Sequence, residues 1–206
     1  MVLLRELIAG STRFNDLRRG VPKMSPTLLS QRLKDLEAAG VVERKALTSE
    51  KGVYEYCLTA AGKDLGGIIE AMGVWGQSWV ESQLSLKNLD PSLLMWDMRR
   101  NLNADPLPAR KVVIQFLYPE LPASKRFWWL VVEANGTVDL CWADPGFDVD
   151  LYVSTDLRTM TAIWMGLANV EKESEKLQLT GDRDIARTMQ SWLGLSPFAS
   201  TQKKVA

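Results

Sequence analysis

The sequence contains no histidine and only two cysteines, and each shortage excludes a kind of chemistry. Without histidine there is no Ser-His-Asp triad, no histidine-ligated zinc and no imidazole acid–base catalysis. Cys57 and Cys141 lie far apart and lack the spacing of a metal site, so we interpret them as reduced, mostly structural thiols. The sequence therefore predicts neither a metal site nor a cofactor.

Long apolar runs and an excess of one charge are also absent. No stretch approaches the roughly twenty apolar residues of a membrane span, and the N-terminal segment lacks a signal-peptide cleavage site, so we expect a cytoplasmic protein. Lys plus Arg and Asp plus Glu number 25 each, so the chain has no global positive field. Residues 1–40 nevertheless hold seven basic and four acidic side chains, which makes this region the candidate for contact with a polyanion.

Residues 25–40, SPTLLSQRLKDLEAAG, have the signals of a complete helix. Ser25 is a good N-cap, Pro26 suits the first helical position, and Gly40 suits the end of a helix. One stripe of apolar residues at helical spacing predicts a buried side, formed by Leu29, Leu33 and Leu36 with Leu28 beside them. The opposite face carries hydrogen-bonding side chains, namely Thr27, Ser30, Gln31 and Lys34. Such a face fits the major groove of DNA, although any surface helix has a polar side.

The neighbouring segments add a specific order of elements. A short helix over RFNDLRR precedes this one, and its outward arginines suit either phosphate contact or plain solvation. After Gly40 the pattern changes to alternation, and VVERKAL and VYEYCLT predict two strands joined by a polar turn. Positive charge on this predicted hairpin comes from Arg44, Lys45 and Lys51. Thr59 then caps a further helix, which completes the order helix, helix, hairpin, helix.

These segments resemble the HxlR family of bacterial winged-helix transcription regulators, which are relatives of the MarR group. The resemblance rests on RFNDLRR, SPTLLSQRLKDLE and YCLTAAG and covers about residues 1–85. It implies a homodimer on an inverted-repeat operator, with each recognition helix in a major groove and each wing outside it. By matching position it implies base-reading residues Ser25, Thr27, Ser30, Gln31 and Lys34. It also implies phosphate or wing contacts from Arg13, Arg18, Arg19, Arg32, Arg44, Lys45 and Lys51.

This chain departs from the family at its start. Family members usually begin with another helix, often preceded by a cysteine that senses oxidants or electrophiles. The sequence starts inside the following helix and has no such cysteine, so thiol sensing by that route is not expected. A helix that starts at Met1 without a cap leaves open whether residues precede it in the native protein.

A long apolar helix follows Thr59 and extends to about residue 83. Its broad apolar stripe predicts a symmetric dimer contact, because two-fold DNA half-sites require a two-fold protein, or else burial within its own domain. The stripe consists of Ile68, Ile69, Met72, Trp75 and Trp79.

The second half of the chain has a different pattern. Residues 86–107 read as a helical linker between a winged-helix domain at 1–85 and a second domain at 108–206. Beyond Pro108 several strand-like runs precede two helical segments, which predicts an α+β layer with helices on one face of a single sheet. The predicted fold class is therefore α+β with two domains.

Residues from about 108 to 200 resemble the sterol carrier protein family, which consists of small α+β domains with an apolar ligand tunnel. The resemblance rests on DVDLYVSTDLRTMTAIWMG and on LQLTGD. It implies an apolar small-molecule partner, and the candidate pocket residues are Trp128, Trp142, Phe147, Trp164, Met165 and Trp192. Aromatic residues and Met at such spacings also form ordinary cores, so core packing is the alternative interpretation.

Three functions remain open from sequence. The leading hypothesis is a ligand-responsive transcription regulator without enzyme activity. The alternative is a carrier of lipids or other hydrophobes whose N-terminal part serves only dimerisation or protein docking. An enzyme is the third, based on clustered carboxylates at Asp144, Asp148 and Asp150, but no base, nucleophile or cofactor motif accompanies them.

Overall fold

The computed structural model describes residues 1–47, 50 and 52–205 and divides into two compact units, Met1–Gly76 and Gln77–Ala206. The first unit contains three helices, a hairpin and two further helices. Their bounds are α1 (Val2–Ile8), α2 (Phe14–Gly20), α3 (Pro26–Ala38), β1 (Val42–Ala46), β2 (Tyr54–Leu58), α4 (Ala60–Asp64) and α5 (Gly66–Trp79), and the second unit begins in the last turn of α5.

The capping residues predicted for both ends of α3 have these roles in the structure. The hydroxyl of Ser25 accepts a hydrogen bond from the backbone N–H of Leu28 at 3.2 Å, and Pro26 occupies the first helical position. Gly40 has a φ of +70°, a left-handed conformation that glycine adopts without steric cost. Local sequence signals therefore set both ends of α3.

The leucine side of α3 packs in the core of the first unit. Leu29 and Leu33 are 0% and 1% exposed, and Leu36 packs against the same cluster. Leu28 lies outside this core and is 43% exposed, so the buried stripe is narrower than the sequence pattern indicates. The antiparallel hairpin has the register Val42↔Leu58 to Ala46↔Tyr54, and Val42 is buried in the same core.

The second unit contains one five-stranded sheet and several helices. Its bounds are α6 (Ser82–Ser85), α7 (Pro91–Asn101), β3 (Val112–Leu117), α8 (Ala123–Arg126), β4 (Phe127–Val132), β5 (Val138–Cys141), β6 (Leu151–Ser154), α9 (Leu157–Trp164), a 3-10 helix (Ser174–Lys176), β7 (Gln178–Gly181), α10 (Arg183–Arg187) and α11 (Met189–Trp192). The strand order is β5-β4-β3-β6-β7, in which only the β3–β6 pair is parallel among the described residues. The predicted α+β class is confirmed.

One face of this sheet carries the main core of the second unit. Inward residues of β3, β4 and β6 alternate along each strand and pack with residues of α7, α9 and α11. Met95 and Met98 on α7 are fully buried in this core. The segment that reads as a linker from sequence is therefore integral to the second unit, because the apolar side of α7 covers part of the sheet face.

Candidate nucleic-acid interface

The polar side chains of α3 form an outward surface, which we call the reading face, consisting of Ser25, Thr27, Ser30, Gln31 and Lys34. All of them are exposed except Ser30, which is half-buried. Lys34 makes no ion pair with any residue that the structure describes. Because Leu29 and Leu33 anchor the opposite side of the same helix, the reading face is presented on a rigid element.

A carboxylate on α3 organises two of these outward side chains. Asp35 accepts a hydrogen bond from Gln31 Nε2 at 2.9 Å and another from Arg32 Nη1 at 3.2 Å. The amide of Gln31 therefore has its nitrogen directed toward Asp35, while its oxygen is not used in this contact. We did not predict this contact from sequence, although the spacing of Gln31 and Asp35 at i and i+4 is a recognisable signal.

The arginines of α2 differ in their partners. Arg18 is exposed and makes no ion pair within the described part of the chain. Arg19 is also exposed, with its Nη1 3.7 Å from an oxygen of Asp16. Arg13 instead points to the hairpin, where its Nη2 donates to Glu50 Oε1 at 2.6 Å. Of the three, Arg18 is therefore the one most directly available to a phosphate.

The Arg13–Glu50 pair connects α2 with the hairpin, which we call the wing. The hydrogen bond to Glu50, with its charge, raises the pKa of Arg13, and the reverse interaction lowers the pKa of Glu50. The wing is also fixed by backbone, because the N–H of Tyr56 donates to the carbonyl of Thr12 at 2.8 Å. Exposed ion pairs contribute little to stability, so Arg13 could exchange Glu50 for a phosphate at small cost.

The basic residues of the wing are exposed but have local partners. The guanidinium of Arg44 lies 3.6 Å from the ring centroid of Tyr54, and Lys45 Nζ is 2.6 Å from Glu43 Oε1. Hydrogen bonding to Glu43 raises the pKa of Lys45. Arg32, on α3, has Asp35 as its partner. Lys51, the remaining candidate for phosphate contact, lies outside the described residues.

The candidate dimer residues on α5 are largely uncovered. Ile68, Met72 and Trp75 recur at i, i+4 and i+7 in the first unit and are 57%, 52% and 62% exposed. We call these three residues the α5 stripe. Ile69 packs partly on the core of the first unit instead. Trp79 belongs to the second unit, and Lys204 Nζ lies 5.2 Å from its ring centroid.

Comparison with known proteins assigns the family of the first unit. Residues 1–84 match the HxlR-like helix-turn-helix family. The uncharacterized HTH-type transcriptional regulator YvaP of Bacillus subtilis (strain 168) is 35% identical over 80 residues, which span 39% of this chain and 74% of YvaP. The chain belongs to the HxlR-like helix-turn-helix family. Further HTH-type transcriptional regulators are 30–36% identical, and the chain covers 61–71% of their lengths.

Solved structures give matches for both halves of this HxlR-like chain. The redox regulator HypR in its reduced form is 36% identical, covers 37% of this chain and 75% of its own, and has a TM-score of 0.35. Sterol carrier protein 2 from Yarrowia lipolytica, in its apo form, is 15% identical, covers 52% of this chain and 93% of its own, and has a TM-score of 0.36. The second likeness concerns fold alone. By their names, YvaP is an HTH-type transcriptional regulator and HypR is a redox regulator.

The six candidate pocket residues of the second unit are divided between its core and its surface. Trp192 is fully buried and its indole N–H donates to the carbonyl of Ile185 at 2.7 Å, so its side chain fills the core. Trp128 is buried in the same cluster, against which Trp164 also packs. Trp142 and Phe147 are 58% and 45% exposed. Met165 is half-buried and its carbonyl accepts from Gln77 Nε2 at 3.0 Å.

The clustered carboxylates bear on an enzyme or metal role, and the lengths of the helices bear on a membrane role. Asp150, one of the three clustered carboxylates, accepts from the N–H of Val113 at 2.8 Å and pairs with Arg110 at 2.8 Å, which is a structural role. Among the described residues, no group of three or more Cys, Asp or Glu side chains could hold a metal ion. The same residues include no helix of the length and apolarity that a bilayer crossing requires.

Proposed function

We propose that this HxlR-like chain is a transcription regulator that binds a two-fold DNA operator as a homodimer. The observation that carries this proposal is the reading face of α3, whose exposed polar side chains are backed by the fully buried Leu29 and Leu33. Recognition helices of winged and helix-turn-helix proteins present such faces to base edges in the major groove. The preceding helix supplies Arg18 to the phosphates, which fix position without reading sequence.

A homodimer follows from the geometry that operators require. Two half-sites one helical turn apart need two reading faces related by a two-fold axis. The α5 stripe is the surface of the first unit that favours such a contact, because three large apolar side chains at helical spacing are exposed there. In a two-fold contact the α5 stripe of one protomer would pack against the α5 stripe of its partner.

The second unit is the proposed site of an apolar or amphipathic effector. Trp164 supports this role, because its indole nitrogen is buried without a hydrogen-bond partner among the described residues, and such a group favours a polar ligand atom. A ligand would alter DNA binding only if it preferred one arrangement of the two reading faces. Native mass spectrometry of protein from its own host tests this by the presence of a small-molecule adduct that Trp164→Phe loses.

Gln31→Ala tests the reading role of α3. A bidentate amide contact with a base contributes about 1–3 kcal/mol of discrimination, so the variant should bind its selected operator about 5- to 150-fold more weakly. Its affinity for random duplex DNA should change far less, because that affinity comes from phosphate contacts. Mobility-shift titrations on both duplexes measure the two losses.

Gln202→Ala is the matched control, since Gln202 is an exposed glutamine of the second unit. It should leave both affinities unchanged. Equal losses on operator and random DNA in Gln31→Ala would remove Gln31 from the base-reading residues. The same titrations at several salt concentrations separate regulator from carrier, because groove binding must weaken steeply as salt rises and a carrier has no preferred duplex.

A further inference from the structure

Leu28 is an apolar side chain in a place where the helix is otherwise polar. It lies in the first turn of α3, next to the fully buried Leu29, and yet it is 43% exposed. Leu28 does not belong to the core cluster of the first unit, and its neighbours one turn further on are Gln31 and Arg32. The side chain is thus part of the outward surface of α3 rather than of its packed side.

The backbone at Leu28 is held in a fixed position. Its N–H donates to the hydroxyl of Ser25 in the N-cap of α3. The N-terminal residues of a recognition helix are those that reach base edges, so Leu28 is on the correct turn for base contact. The cap therefore pre-organises the residue without involving its side chain.

The two polar neighbours of Leu28, Gln31 and Arg32, direct their side chains toward the C-terminal end of α3. Gln31 and Arg32 both donate to Asp35, which lies one turn toward the C-terminus of α3. Their polar ends are thereby held on the side of α3 remote from its first turn. Leu28 therefore borders the reading face through Gln31, one turn further on, as an exposed apolar side chain at the edge of that face.

In the major groove the thymine C5-methyl is the apolar group that such a side chain can contact. We propose that Leu28 is a specificity-determining residue that packs against a thymine methyl in each half-site. This inference rests on the proposed function of α3. Leu28 and Gln31 lie one turn apart on α3, so we expect the thymine at, or next to, the base pair that Gln31 reads.

Replacement of thymine by deoxyuridine tests this contact, because it removes the methyl group and keeps every hydrogen-bonding atom. The operator is first selected with the wild-type chain, and each thymine is then replaced singly. At one position in each half-site, the replacement should weaken wild-type binding about four-fold. This factor corresponds to the free energy of burying one methyl-sized group. Leu28→Ala should bind the thymine and uracil versions of that position with equal affinity.

Ile8→Ala is the control, because Ile8 is another exposed apolar residue of the first unit, 39% exposed on α1. It should keep the wild-type response to uracil. Circular dichroism should give Leu28→Ala an unfolding midpoint within about 4 °C of wild type, since the truncated side chain is outside the core. If the wild-type chain selects an operator but binds every uracil version as tightly as the thymine version, the role of Leu28 is wrong and the proposed function stands. The role of Leu28 is also wrong if Leu28→Ala responds to uracil as the wild type does. If the chain selects no operator, both this inference and the proposed function are wrong.

Discussion

Trp75→Glu is expected to convert the proposed dimer into a monomer and to weaken binding to a two-half-site operator by about 100-fold or more. In a two-fold contact through the α5 stripe, the new carboxylate of one protomer would lie close to the same carboxylate of its partner. Two negative charges would then be buried together in an apolar surface. A monomer also loses the effective concentration that linked half-site binding supplies, which is on the order of 10²–10⁴ in affinity. Sedimentation and operator titrations measure the two effects.

Trp142→Glu is the matched control for this prediction. Trp142 is 58% exposed in the second unit, close to the 62% of Trp75, so both substitutions put the same charge at an exposed tryptophan. The control should remain dimeric with unchanged operator affinity. Trp75→Glu should still bind an isolated half-site as wild type does, because α3 is untouched. If Trp75→Glu stays dimeric, the α5 stripe is not the dimer contact.

Leu33→Ala is expected to destabilise the first unit by about 2–5 kcal/mol. Leu33 is 1% exposed and packs on the side of α3 opposite the reading face, so truncation leaves a cavity under the recognition helix. A domain of this size is stable by only about 5–15 kcal/mol, so the loss removes a large share of its free energy of unfolding. Urea unfolding followed by far-ultraviolet circular dichroism measures it.

Leu28→Ala is the natural comparison on the same helix. The two leucines are five residues apart, but Leu28 is 43% exposed, so its truncation should change the free energy of unfolding by no more than about 0.5 kcal/mol. Leu33→Ala should lose operator binding in proportion to the fraction unfolded. Equal stability of both variants would mean that α3 is not anchored through Leu33, and the reading face would lose its rigid support.

Local signals were sufficient to predict α3 and its neighbours. The cap at Ser25, the proline at position 26 and the glycine at position 40 act within a few residues, and the structure has all three in the predicted roles. The alternation in β1 and β2 also depends on short-range spacing, and both strands form as predicted. Features of this kind are readable from sequence because their physical causes lie inside the segment.

Tertiary contacts were not readable in the same way. Arg13 and Glu50 are 37 residues apart, and only the folded hairpin brings the carboxylate to α2. Trp142 and Trp192 both occur in apolar segments, but one is exposed and the other fills the core, because the path of the sheet and helices decides which side each faces. The spacing of the apolar residues in α7 predicts a buried side, but it does not show which element covers that side. For this reason the helix reads as a linker from sequence.

Hydroxyl-radical footprinting of the selected operator is the most direct test of the claim that two copies of α3 read successive major grooves. The wild-type chain should protect backbone patches on one face of the duplex, with half-sites about 10–10.5 base pairs apart, centre to centre, or a multiple of that spacing. Methylation of guanine N7 within each half-site should interfere with binding, since that atom lies in the major groove. Uniform protection along the duplex, or interference confined to the minor groove, would contradict the account.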